Sequence, residues 1–391
     1  MNSESWKVKL ALLLVSSLTI MSMITISASL PDMTKTFSDV PNGGKLVKMV
    51  LSFPGLFIAL SAIAAGLVID KIGRLKLLGV ALVLYAISGT SGYWLDNLYA
   101  ILAGRALLGI SVGITMTIVT TLVADYYHGK ARQKFAGIQI AVMSLAGIIF
   151  ISLGGILADI NWRVPFLLYL FSILIIPFAY LYLKEPLKAE DTHQEVKTVK
   201  SPKIIWFVFA NVMLMWIMFF IIPIQIPFYL KSIGVEKNSL IGLAIASSTF
   251  FSAIGAISFS KIKDKFAFKQ IFGLGYLLMA IAYVCIAYGN SYAMVMVAML
   301  LGGLGMGVMI PNANVWVMQL APLEIRGREI GRLTTFWFMG QFLSPIILLP
   351  ILDIVTQSQL YLIIAAVLLI LSLIMLVFYF MTRKTESVNE L

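Results

Sequence analysis

Long uncharged apolar runs alternate with short polar segments along almost the entire chain. The runs lie near 9–31, 46–69, 76–94, 97–121, 135–158 and 163–183, and then near 203–230, 239–260, 268–289, 291–318, 329–350 and 359–381. About 20 mainly apolar residues suffice for an α-helix to cross a hydrocarbon layer about 30 Å thick. A helix also satisfies its own backbone polar groups there, where no water can. The pattern predicts twelve transmembrane helices. A polar stretch with Lys184, Glu185, Lys188, Glu190, Asp191 and Glu195 separates the sixth run from the seventh and reads as a solvated linker. The expected organisation is a six-helix bundle over 1–183, a linker over 184–202 and a second six-helix bundle over 203–391. The first run follows Lys7 and Lys9, and its roughly 20 uncharged residues exceed a typical 7–15-residue signal core, so it is expected to be a span.

Composition sharpens the picture. Of 391 residues, 60% are apolar and 12% charged, against about 25% charged in soluble domains. The net charge of +11 does not point to nucleic acid, because the basic residues form short clusters between apolar runs. Of the 29 Lys and Arg, 22 fall on the side that holds both termini and six on the other, with Arg105 inside a span. That bias predicts cytoplasmic termini and a multi-pass protein of the cell membrane. Cys285 is the single cysteine, and His128 and His193 lie in polar connections. No disulfide within the chain, no His/Cys metal site and no histidine-based catalysis in the membrane are expected. Neither a cofactor nor a metal is implied, and no Gly-x-x-x-x-Gly-Lys-Ser/Thr loop is present to bind a nucleotide.

The two halves share a register. A shift of 194 positions brings Asp70 onto Asp264, Lys71 onto Lys265, Gly79 onto Gly273, Gly109 onto Gly303, Gly113 onto Gly307, Arg132 onto Arg326 and Gly137 onto Gly331. Parallel six-helix repeats are a transporter architecture, with the solute site expected between the halves near mid-membrane.

Between the second and third runs stands Gly66-Leu-Val-Ile-Asp70-Lys71-Ile-Gly73-Arg74-Leu-Lys76. A glycine at 66 permits close helix approach, Asp70 puts a charge at a helix end, Gly73 suits a sharp turn, and Arg74 with Lys76 anchors the loop on the basic side. The segment resembles the loop signature of the major facilitator superfamily, and with twelve spans and the repeat the resemblance covers the whole chain. It is most similar to the bacterial twelve-helix drug/proton antiporter branch. The resemblance implies an all-α membrane protein of two pseudo-symmetric six-helix bundles and a latch on the inner face formed by Gly66, Asp70, Lys71, Gly73, Arg74 and Lys76. The second copy keeps Asp264 and Lys265 but carries Ala267 and Phe268 where the glycine and arginine would stand. Asp125 with Arg132, and Glu324 with Arg326, resemble the acid-and-arginine clusters of the family's inner gate; solvated loop residues are the alternative.

Arg105 opens Arg105-Ala-Leu-Leu-Gly109-Ile-Ser-Val-Gly113, which resembles the arginine-and-glycine pattern of the family's fourth helix. A cation in a span costs several kcal/mol unless paired or hydrated. The resemblance implies a part in proton transfer; the alternative is an arginine reaching the headgroups near Asp96 and Asn97. Two features depart from the exporters. Phe150-Ile151 occupies the place of a Gly-Pro pair ahead of Gly154-Gly155, and Ser22 the place of a membrane aspartate. The carboxylates left to carry a proton are Asp32 and Asp125.

Polar and aromatic residues within runs nominate a solute site of Gln139, Asn211, Gln225, Tyr229, Asn312, Asn314, Trp316, Trp337 and Gln341, each amide being either cavity lining or glue between helices. Twenty methionines suit a pliable apolar pocket. The expected activity is secondary active export of small amphipathic compounds by alternating access, in exchange for protons, by a monomer in the lipid bilayer. An importer or uniporter of a small nutrient is the first alternative, and a membrane-embedded sensor or enzyme the second.

Overall fold

The computed structural model describes residues 5–185 and 199–389. Linker positions Lys188, Glu190, Asp191 and Glu195, and the side chains of Asp70, Gln133 and residues 382–389, lie outside that description. Fourteen α-helices follow in order: α1 (Trp6–Ile24), α2 (Leu30–Thr36), α3 (Gly43–Ile72), α4 (Arg74–Gly89), α5 (Ser91–Trp94), α6 (Leu98–Tyr126), α7 (Gly129–Ile160), α8 (Phe171–Tyr182), α9 (Lys203–Ser232), α10 (Asn238–Lys263), α11 (Phe268–Tyr288), α12 (Tyr292–Leu320), α13 (Arg326–Leu348) and α14 (Gln357–Asn389). Among the described residues there is no strand.

Among the described residues, twelve segments are long and apolar enough to cross a membrane, from 19 residues at Val164–Tyr182 to 32 at Gly129–Ile160. At 1.5 Å per residue the longest measures about 48 Å and exceeds a hydrocarbon layer of about 30 Å by about 60%, so the longer helices continue into the polar connections. Hydropathy marks only the lipid-facing portion, which is why the structural ends of spans such as Gly43–Ile69 and Gly129–Ile160 lie beyond the sequence-derived 46–69 and 135–158 on at least one side, whereas Val164–Tyr182 and Phe268–Tyr288 fall within theirs. Large apolar side chains such as Leu67, Ile160, Leu181 and Ile257 are exposed, Ile257 at 79%. Such surfaces require lipid as solvent.

The first span is broken. After Ile24 the chain turns, forms a 3₁₀ segment at Ser27–Ser29 and restarts as α2. The Thr25 hydroxyl donates to Met21 O at 2.6 Å, a local alternative to the helical ladder. Pro31 then sits in the first turn of α2, where its missing N–H costs nothing. Gly73 separates α3 from α4 at φ +96°, a conformation open to glycine.

Two compact units result. Unit 1 holds Met1–Thr198 together with Lys237–Leu243 and Gln341–Pro345; unit 2 holds Val199–Glu236, Ala244–Gly340 and Ile346–Leu391. In unit 1, α6 packs on α3 through glycine: a Cβ at Gly109 would stand 2.5 Å from Pro54 O and 2.8 Å from Phe57 Cβ, and one at Gly113 would stand 2.7 Å from Ile58 O. In unit 2, α12 packs on α10 in the same register. A Cβ at Gly303 would meet Ser248 O and stand 3.0 Å from Phe251 Cβ, and one at Gly307 would meet Ser252. Each partner residue is displaced by the same 194 positions as its glycine.

Candidate functional site

Arg105 lies two turns inside α6 and is fully buried. Its Nε donates to Val50 O at 3.0 Å and its Nη2 to Ser22 O at 2.9 Å. The guanidinium lies 5.1 Å from the centre of the Tyr169 ring, a cation–π contact. Its bonded partners are main-chain carbonyls of α3 and α1, and Nη1 has no protein partner. The guanidinium does not reach the headgroup level near Asp96, which is held by Arg163 at 2.6 Å.

Towards the other end of unit 1, α1, α6 and α7 line a half-open recess with a cavity volume of about 30 Å³. Val15, Ser16, Thr19, Met116, Gln139 and Met143 line it, with Val119 and Thr120. The Gln139 amide donates to Ser16 Oγ at 2.8 Å, which leaves its carbonyl oxygen for a guest. An apolar wall with one or two oriented polar groups is the chemistry of a small-molecule pocket, although the volume here is well below the roughly 300–1,000 Å³ of such pockets.

The turn between α3 and α4 is held from within unit 1. Arg74 Nε pairs with Asp125 Oδ2 at 2.9 Å. The Glu185 carboxylate accepts from the backbone N–H groups of Arg74, at 2.7 Å, and Leu75, at 2.9 Å. A carboxylate there satisfies orphan donors at the start of α4 and opposes its dipole favourably. Tyr126 bonds the backbone of Lys184 as both donor and acceptor. Asp125 and Arg74 are thus joined, as two members of the expected latch. Lys71, Lys76, Arg132, Asp264 and Glu324 are exposed and Arg326 is half-buried. Among the described residues, no atom beyond the backbone of α3 itself lies within 4 Å of a Cβ placed at Gly66.

At the far end of unit 1, two carboxylates converge on the start of α10. Asp159 accepts from the backbone N–H of Asn238 at 2.5 Å and of Ser239 at 3.2 Å. Asp32 accepts from the Asn238 side chain at 3.0 Å and pairs with Lys35 at 3.1 Å. The approach is close because Gly155 faces Gly242: a Cβ at Gly155 would stand 3.0 Å from Gly242 Cα.

The nominated residues of unit 2 are mostly bonded to neighbouring helices. Asn211 accepts from the Tyr276 hydroxyl at 2.6 Å and faces Met375 Sδ. Tyr229 donates to Gly289 O at 2.7 Å and Asn312 to Phe268 O at 3.0 Å. Asn314 bonds back to Ile310 O, Trp316 stacks on Phe268 at 5.5 Å, and Trp337 lies 6.2 Å from Trp216. Gln225, in unit 2, and Gln341, which clusters with unit 1, are buried with side-chain amide atoms that no protein group meets.

Two residues carry contacts that the sequence did not assign to a site: Glu185 and Asp159 act on helix starts far away in the chain. Glu329 is fully buried at the start of α13, with Arg328 Nε at 2.9 Å, Arg332 Nη1 at 3.1 Å and Ser201 Oγ at 2.9 Å. Glu329 belongs to the acid-and-arginine stretch that starts at Glu324, and its burial is what the sequence did not show.

The family model of the Major Facilitator Superfamily matches residues 12–240 and 237–391. The "Bacillibactin exporter" of Bacillus subtilis is 25% identical over 354 residues, covering 84% of this chain and 85% of that protein. The "Quinolone resistance protein NorA" of Staphylococcus aureus is 23% identical over 303 residues, covering 76% and 78%. Among solved structures, a D-xylose-proton symporter superposes with a TM-score of 0.75 at 16% identity, covering 95% of this chain and 97% of that one. Twelve membrane-crossing helices, a repeated glycine-packed helix pair and a family match along nearly the full length agree: the chain belongs to the Major Facilitator Superfamily and is a multi-pass membrane transporter, not an enzyme.

Proposed function

We propose that the chain exports small amphipathic compounds by alternating access, in exchange for protons, as a monomer in the cell membrane with both termini cytoplasmic. The observation that carries the reading is the alignment, over three quarters or more of this chain, with one relative named an exporter and another named for quinolone resistance. The recess of unit 1 supports it, since methionine and valine walls with a single amide suit ligands of variable shape. Asp32, half-buried and hydrogen-bonded to Asn238, and Asp125, exposed and ion-paired with Arg74, are the carboxylates proposed to exchange protons. One observation favours import or uniport of a nutrient instead: Phe150-Ile151 in place of the exporters' Gly-Pro pair.

The test is uptake of a quinolone and of an amphipathic fluorescent dye into inverted membrane vesicles, with an acid interior imposed. Uptake that rises with the gradient and falls when a protonophore is added supports proton-coupled export. Uptake indifferent to the gradient removes the coupling, and greater accumulation in intact cells on expression reverses the direction.

A further inference from the structure

Proline at 54 leaves a defect in α3. Pro54 has no N–H, so the carbonyl four residues earlier, that of Val50, has no helical donor. Arg105 Nε is bonded to that oxygen at 3.0 Å. The end of α1 leaves a second defect, since the last carbonyls of a helix have no donor within it. Ser22 O lies in that last turn and receives Arg105 Nη2 at 2.9 Å. One buried guanidinium thus completes two interrupted helices, and α6 brings it there by packing Gly109, one turn along, directly on Pro54.

The second half of the chain provides an internal control. At the same register Ser248 stands in place of Pro54 and Met299 in place of Arg105, while Gly303 keeps the glycine contact. Where the proline is absent, the arginine is absent too.

We infer that Arg105 is a positioning residue, whose donors replace the main-chain N–H that Pro54 removes and tie α3 to the frayed end of α1. Its charge is neutralised by carbonyl dipoles and the Tyr169 ring, and it is not the group that carries the proton. An unmet buried carbonyl or guanidinium is costly, so the residues at 54 and 105 are coupled and a change at one alters the cost of a change at the other.

The coupling is read by a double-mutant cycle of P54A, R105M and P54A/R105M in detergent-solubilised full-length protein. Alanine at 54 restores the N–H to Val50 O. R105M is expected to lower Tm by about 5 °C or more, and P54A/R105M to recover at least half of that loss. Equal losses in R105M and the double variant would overturn the inference. This arm needs no substrate and so does not depend on the export reading. The second arm rests on that reading. In inverted vesicles R105M is expected to lose at least ten-fold in initial rate, and the double variant to regain at least five-fold of it, still driven by the pH gradient and with an unaltered pH profile. A double variant that recovers its Tm but transports without responding to the gradient would assign Arg105 to proton transfer instead. Recovery of Tm with no transport of any probe in wild type would count against the export reading alone.

Discussion

Glu185→Ala should loosen the start of α4. In the wild type the carboxylate accepts two backbone N–H groups, at 2.7 and 2.9 Å, and lies 3.8 Å from Arg74 Nη1. Loss of a helix-capping acceptor costs about 1 kcal/mol. The Glu185 side chain is 43% exposed, so the ion pair is screened and adds only about 0.2–1 kcal/mol. The sum is about 1–2 kcal/mol, and at 2–4 °C per kcal/mol for a unit of this size it lowers Tm by about 2–8 °C. The assay is tryptophan-fluorescence melting in detergent at low and high salt. Glu185→Gln, which keeps an acceptor but no charge, should fall between alanine and wild type. High salt should shrink the difference between wild type and Glu185→Gln, since that part alone is screened. A Glu185→Ala protein that melts with wild type while Asp125→Asn melts lower would refute the assignment, because Arg74 alone would then hold the turn.

Three further outcomes follow from contacts already described. Gly109→Ala and Gly303→Ala should each destabilise by about 1–3 kcal/mol through overpacking, whereas Gly137→Ala and Gly331→Ala, whose Cβ positions are open, should melt at or above wild type; equal behaviour of the two pairs would contradict the packing account. Glu329→Ala leaves two arginines and Ser201 without their shared acceptor, at about 1–3 kcal/mol, towards the low end because the arginine side chains are about 40% exposed; faster limited proteolysis between 184 and 202 is the readout, and an unchanged cleavage rate would deny Glu329 a part in holding Val199–Ser201. Gln139→Leu should raise KM for a transported probe by about five- to ten-fold, near 1–1.4 kcal/mol, with Tm within about 2 °C of wild type; an unchanged KM would remove the recess from the solute path.

The spans were legible because each is a run of about 20 apolar residues, a signal no soluble helix produces. Their ends were not, because helical backbone continues past the hydrocarbon, as Gly129–Ile160 does, where hydropathy stops reporting. The register of the halves was legible in glycines, and the reason is now physical: Gly109 and Gly303 touch partners displaced by the same 194 positions. The helix-start contacts were hidden, since Glu185 lies 111 residues from Arg74 and Asp159 79 residues from Asn238, with no periodicity linking them. Arg105 stood out in sequence as a cation in a span, but its partners are carbonyl oxygens, which every residue carries. The one textual clue was a proline four residues beyond Val50, on another helix.

The glycine seams have a mechanical consequence. At Gly109 and Gly113, where α6 meets α3, and at Gly303 and Gly307, where α12 meets α10, the glycine backbone lies directly against the main chain of the facing helix. Side-chain layers can exchange rotamers and settle in a second arrangement; two backbones in contact have nothing to exchange. Each pair therefore travels as one strut, and spin labels placed across either seam should keep their separation throughout a transport cycle. On the alternating-access proposal, the changes of shape would then fall to joints padded by flexible side chains, such as the methionine-walled meeting of α1, α6 and α7.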